Sequence, residues 1–287
     1  MNRSIWQQWQ RWFANLYRYP APVRILVFVL MLLLLWLPFA LPIYRLISDQ
    51  NLAGILALLI LYSEFLWLVG VWGRRVYRQP RLLWQYGLEL TPRMGLEVLG
   101  GLGVGLFSIL LLFGIEASLG WLEWQAPVMP LGRVVLEGLL VAIAVGFAEE
   151  LFFRGWLLDE LQRDYVPSVT LWGSAIVFAA VHLRLITLPA LILLGVALVW
   201  AKRACSELRI GRRRERLGLP IGLHAGLVWG YYMINVGQLV TYTNRVPAWV
   251  TGLENNPLAG LLGLLLLSGL AIGMWQFTCR QRATVRW

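Results

Sequence analysis

Cysteine and histidine are nearly absent from this 287-residue chain, with two of each. The cysteines, Cys205 and Cys279, form no C-x-x-C pair, which excludes a disulfide framework and a thiolate metal site. Charge is scarce too. Charged residues are 14% of the chain and hydrophobic residues 59%, where soluble domains are about 45–50% apolar. A soluble fold is therefore excluded, and the chain reads as an integral membrane protein. Acidic residues number 15 against 25 basic ones, for a net charge of +10. In a soluble protein that excess would point to nucleic acid. Here the arginines flank apolar runs, so the partner they imply is the anionic lipid headgroup, with no nucleic acid. Two hydrolase signatures are also missing. Without H-E-x-x-H the chain is not a helical zincin, and without G-x-S-x-G a serine protease has no motif behind it. The first apolar run is too long for a signal-peptide core, and no A-x-A site follows it.

What is present is a series of apolar runs, at about 25–48, 52–73, 96–122, 132–157, 168–184, 186–202, 218–240 and 258–278. A spanning helix needs roughly 17–25 residues. The expected fold is therefore an all-α polytopic membrane helix bundle of about eight transmembrane helices, the fifth and sixth short. Residues 1–20 place Trp6, Trp9, Phe13 and Leu16 at helical spacing, with Arg3, Gln7, Arg11 and Arg18 elsewhere on the wheel. That pattern predicts an N-terminal amphipathic helix lying in the interface. The third run carries Gly100, Gly101, Gly103 and Gly105, small residues that let helices approach closely in lipid. The chain divides accordingly: 1–24 interfacial helix, 25–128 N-terminal spans, 129–240 the core that carries the chemistry, 241–287 a loop and the last span.

Charge sets the orientation. With both termini in the cytoplasm, 21 of the 25 basic residues lie on the cytoplasmic side, and only Arg45, Arg133, Arg184 and Arg245 fall outside. This positive-inside asymmetry predicts a multi-pass protein with an even number of spans. The basic loop 202–216 reads as a topology signal and a headgroup contact.

The stretch Ala144–Leu157 places Glu149, Glu150 and Arg154 inside an apolar helical run. An ionised group at membrane depth costs at least a few kcal/mol, so it is paired or functional. Glu150 and Arg154 are four residues apart and share a helix face, where they can neutralise each other. Glu149 lies about 100° round the helix, so that pairing leaves it available. The two histidines, His182 and His224, both lie in or beside apolar runs. Glu and His are the side chains that activate water, as general base, as metal ligands, or both. Two His and one Glu also match the ligand set of several hydrolytic zinc sites. Glu64, beside Ser63, and Glu137 are further carboxylates within apolar runs. They are expected to be hydrogen-bonded structural groups rather than a transporter's proton relay.

Three motifs follow in order: Glu149-Glu150-x-x-x-Arg154, then Phe178-x-x-x-His182, then Pro220-Ile221-Gly222-Leu223-His224-Ala225-Gly226. Together they resemble the signature of the CPBP family, intramembrane proteases related to type II CAAX prenyl endopeptidases and to bacteriocin-immunity proteins. The resemblance covers about residues 130–240. It implies an intramembrane endopeptidase acting on a protein or peptide at the membrane. Glu149 would activate a water with help from His182. His224 would bind the tetrahedral oxyanion or a metal. Glu150 and Arg154 would take a structural or substrate-end role. The family leaves two versions open, one metal-free and one assisted by a divalent metal, Zn2+, held by Glu149, His182 and His224. The sequence departs from the family at Val228, where an Asn often follows the last His by four residues. Losing one oxyanion donor costs about 10²–10³ in rate, so a catalytically silent scaffold or immunity protein is the alternative, and an ion-coupled transporter a third. Asn235 and Tyr231 lie about 16 and 10 Å further along the helix, too far to replace that donor. Simple counting also sends the fifth helix outward, away from Glu149. A meeting with His182 then requires a short or re-entrant fifth segment, or a cavity reaching mid-membrane, and the expected site is a conical chamber open towards the cytoplasm with a polar floor built by helices four, five and seven.

Overall fold

The structure, a computed structural model, describes Phe13 and residues 15–209, 212–253 and 256–284. Each of the eight apolar runs is a helix: α1 (Ala21–Leu46), α2 (Gln50–Arg75), α3 (Pro92–Ser118), α4 (Leu131–Glu150), α5 (Pro167–Val181), α6 (Leu188–Ala204), α7 (Gly218–Val236) and α8 (Leu261–Thr284). α4 does not stop at Glu150. It runs on through a π-helical segment, Leu151–Leu157, into a last α-helical stretch, Leu158–Gln162. Short antiparallel pairs join β1 (Leu122–Trp124) to β4 (Val240–Tyr242) and β2 (Ser206–Arg209) to β3 (Arg212–Glu215).

The chain is an integral membrane protein built as an all-α polytopic bundle. Among the described residues five stretches are long and apolar enough to cross a membrane: Ala21–Leu46, Leu52–Arg75, Pro92–Ser118, Leu131–Gln162 and Leu261–Gln281. α5 has 15 residues and α6 has 17, short against a hydrocarbon core about 30 Å thick. α7 has 19 residues, and His224, Asn235 and two tyrosines dilute its apolar character. The spanning helices keep large apolar side chains exposed, Leu34 at 71%, Leu96 at 70% and Leu140 at 71%, as a lipid solvent permits.

Two compact units form. The first holds residues Met1–Gln85 with Asp159–Val166, the second Tyr86–Leu158 with Pro167–Trp287. In the first unit Phe28 meets Phe65 and Trp72 edge to face, with ring centroids at 6.0 and 5.3 Å. Beside them Glu160 is fully buried. It accepts from Arg24 Nε at 2.9 Å, Trp72 Nε1 at 3.1 Å and the Tyr77 hydroxyl at 2.5 Å. Burial, and then the Glu160 charge, hold the Tyr77 hydroxyl well above its ordinary pKa, so it stays a donor. Arg24, counted from sequence as a flanking charge, is an interior partner. Of the expected N-terminal amphipathic helix, Trp6 and Trp9 lie outside the described residues. Phe13 meets Trp72 edge-on at 6.2 Å, and Leu16 is buried.

In the second unit a glycine seam sets α7 against α3. A Cβ at Gly101 would lie 2.4 Å from the Leu219 carbonyl oxygen, and one at Gly222 only 2.0 Å from that of Val98. Only glycine permits such backbone approach. Gly100 and Gly103 meet nothing within 4 Å, so half of the predicted small-residue cluster is packing and half is not. A Cβ at Gly146 of α4 would lie 2.9 Å from the Ile221 carbonyl oxygen, so α7 is pressed closely on both sides around His224. The basic loop is a hairpin, β2–β3, and several of its charges are not at a headgroup surface. Lys202, Arg203 and Arg216 are buried. Arg216 grips Glu97 through Nη2 at 2.5 Å and Nε at 2.9 Å, and Arg214 meets Glu89 at 2.8 Å. Burial, and then the Glu97 charge, push the Cys205 thiol up to about 12, which leaves it inert. Glu137 accepts from Arg133, one turn earlier on the same helix, at 2.7 Å. The Oε2 atom of Glu64 is buried without a hydrogen-bond partner among the described residues, against the expectation of a fully bonded structural group.

Candidate active site

Three helices of the second unit supply the polar groups. The end of α4 carries Glu149 and Glu150, and its π-helical continuation carries Arg154. His182 follows the last residue of α5, and His224 lies one and a half turns into α7. These are helices four, five and seven, as expected for the polar floor. The short α5 resolves the depth problem. With 15 residues it rises only about 22 Å, and its end delivers His182 beside Glu149. The helix closes there, with Leu183 at a φ of 54°.

Glu149 Oε2 lies 3.9 Å from His182 Nε2 and 3.9 Å from His224 Nε2. The other ring nitrogens are engaged. His182 Nδ1 lies 2.7 Å from the Phe178 carbonyl oxygen, and His224 Nδ1 lies 2.9 Å from Glu150 Oε1. A carbonyl only accepts, so His182 carries its proton on Nδ1. The Glu150 carboxylate favours the same tautomer in His224. In that tautomer a neutral imidazole turns a bare Nε2 towards Glu149. Glu149 Oε2 is itself buried, with no hydrogen-bond partner among the described residues. Three acceptors thus face one another at a separation too long for a hydrogen bond and suited to a bridging donor.

The five residues divide by exposure. Glu150 and Arg154 are fully buried and His224 nearly so, whereas the Glu149 side chain is 24% exposed and that of His182 30%. Glu150 Oε1 accepts from Arg154 Nη1 at 2.8 Å while holding His224 in place. Phe178 ties the set together. Its ring meets His182 at 4.8 Å and His224 at 6.1 Å, and the Arg154 guanidinium sits 4.2 Å from its centre. The Phe in F-x-x-x-H is therefore a packing platform, a role the sequence alone did not disclose. The π segment was also invisible in the sequence, which carries no Gly or Pro break at Glu150–Phe153. Such π turns occur often at functional sites.

The donor types, two imidazoles and a carboxylate, suit a divalent metal in kind. Their spacing does not. At metal–ligand distances of about 2.1 Å, tetrahedral ligands stand about 3.4 Å apart, closer than the 3.9 Å found. Among the described residues no three His, Cys, Asp or Glu side chains gather tightly enough to hold a metal ion. The zinc ligand set read from Glu149, His182 and His224 is therefore not closed in this arrangement. α7 is unbroken from Gly218 to Val236, so Tyr231 and Asn235 stay about two and three turns beyond His224. Val228 remains the residue one turn after it.

Residues 131–243 match the family described as type II CAAX prenyl endopeptidase Rce1-like. The match begins with α4 and ends just past β4, so it takes in all three motifs and every residue of the site. No curated protein and no solved structure matches the chain.

Proposed function

We propose, from the premise that residues 131–243 are an Rce1-like core, that the protein is an intramembrane endopeptidase whose nucleophile is a water activated by Glu149. One observation carries this reading: a buried carboxylate oxygen and two bare imidazole nitrogens face a common point with no donor among them. A water there donates one hydrogen to Glu149 and the other to His182 Nε2. As the water oxygen attacks the scissile carbonyl carbon, its proton passes to Glu149, a step worth about 10²–10⁴ in rate. The proton then goes to the leaving amine as the C–N bond breaks. His182 is fixed through Phe178 and orients the water. His224 keeps Nδ1–H on Glu150 and presents Nε2 to the same side of Glu149. Arg154 holds Glu150 in register for that task through the 2.8 Å bond from Nη1. No step is routed through a metal.

The substrate we propose is a protein segment presented at the cytoplasmic face, with both termini of the enzyme on that side, as the arginine distribution favours. Arginines that remain at the surface serve headgroup contact. The test uses protein in lipid vesicles and a quenched fluorescent peptide ending in a farnesylated CAAX sequence. Cleavage that disappears in Glu149→Gln, with melting temperature unchanged, supports the reading. Equal cleavage by the variant contradicts it. Val228 favours a second reading, a membrane scaffold that keeps the fold without turnover. That reading predicts no cleavage by the parent protein and intact biological function in Glu149→Gln.

A further inference from the structure

A π turn leaves backbone groups out of the α-helical pattern, and something must satisfy them when they are buried. In an α-helix the amide of Leu158 would bond the carbonyl of Arg154. Here that amide reaches the carbonyls of Phe153 and Gly155 instead. The Arg154 carbonyl accepts from Lys202 Nζ at 2.5 Å. Lys202 sits in the last turn of α6, 48 residues away in sequence and 3% exposed. The neighbouring Phe153 carbonyl accepts from Ser174 Oγ of α5 at 3.4 Å. Two other helices thus hold the π segment by its carbonyls, and the stronger hold is a buried ammonium.

We infer that Lys202 is a positioning residue for the site, fixing the π turn from which Arg154 pairs with Glu150 and through which Glu150 holds His224. The chain of contacts is short. Lys202 Nζ binds the Arg154 carbonyl, Arg154 Nη1 binds Glu150 Oε1, and the same oxygen binds His224 Nδ1. An ammonium buried in an apolar bundle is costly unless it makes strong bonds, so its retention here argues for a defined task. Sequence position places Lys202 with the topology-setting charges at the end of α6, but its burial takes it away from the headgroups. The inference rests on the proposed water-activating site.

The test compares the parent protein with Lys202→Met, Lys202→Arg and Glu149→Gln in lipid vesicles. Two readouts are taken, cleavage of the farnesylated peptide and deuterium uptake of peptides covering residues 151–158. Lys202→Met is expected to lower kcat about 10–100-fold with KM within about twofold, and to raise deuterium uptake in 151–158 alone. Lys202→Arg, which keeps a charged donor, is expected to restore most of both. Unchanged uptake in Lys202→Met overturns the inference. So does an equal loss in Met and Arg variants that follows a lowered melting temperature, because that describes general stability. If Glu149→Gln cleaves normally, the water-activating site itself is wrong. If Glu149→Gln is inactive and Lys202→Met is fully active, only the positioning role fails.

Discussion

Two carboxylates lie eleven residues apart on one continuous helical stretch, and they are treated in opposite ways. Glu160 has donors on both of its oxygens. A guanidinium, an indole N–H and a phenol hydroxyl all donate to it. Glu149 has an oxygen with no donor among the described residues, and two imidazole nitrogens face it at 3.9 Å. A carboxylate with both oxygens held by donors can brace helices and can do little else. One with an open valence, aimed at other acceptors, is arranged to receive a proton from something between them. The difference separates a clamp from a candidate base more sharply than burial does.

Substitutions at the two carboxylates should therefore give opposite phenotypes. Glu149→Gln is expected to lower kcat for the farnesylated peptide by about 10³-fold, with the melting temperature within about a degree of the parent. A variant that loses stability as well would make Glu149 another clamp and erase the contrast. Glu160→Ala takes from the buried Arg24 its buried carboxylate partner, leaving it Asp164 at 3.2 Å, and is expected to cost about 3 kcal/mol of stability, read by SDS titration in mixed micelles, while kcat per folded molecule stays within about twofold. Val228→Asn supplies a donor one turn after His224 and is expected to raise kcat about 10–100-fold, since one oxyanion donor is worth about 10²–10³ at most. No gain would mean that the oxyanion forms elsewhere. The smallest effect is expected from a chelator: the wide spacing around Glu149 predicts activity within about twofold after EDTA treatment and dialysis. Loss of activity restored by Zn2+ would show that the three side chains close on a metal in the working enzyme.

The contrast also explains what could be read from the sequence. The eight apolar runs were legible because lipid tolerates only long apolar helices, and each run is a helix. The gathering of Glu149, His182 and His224 was legible from motif order. Their spacing was not, because it depends on where a 15-residue α5 ends. The clamp at Glu160 was invisible, since its three donors lie 83 to 136 residues away and form no local pattern. The burial of Lys202, Arg203 and Arg216 was hidden for a related reason. Basic residues beside an apolar run look alike in sequence whether they face headgroups or a carboxylate of another helix, such as Glu97 of α3. The π segment escaped as well, because its bonding depends on donors from α5 and α6. The shortness of α5 and α6 was legible in the length of their runs, and the polar side chains that dilute α7 stand in its sequence.

The most direct measurement is an experimental structure in lipid, at a resolution that shows ordered water. The account predicts a solvent oxygen within hydrogen-bond distance of Glu149 Oε2, His182 Nε2 and His224 Nε2 together. A Glu149 carboxylate bonded directly to a protein donor, or either imidazole turned away from it, would contradict the account.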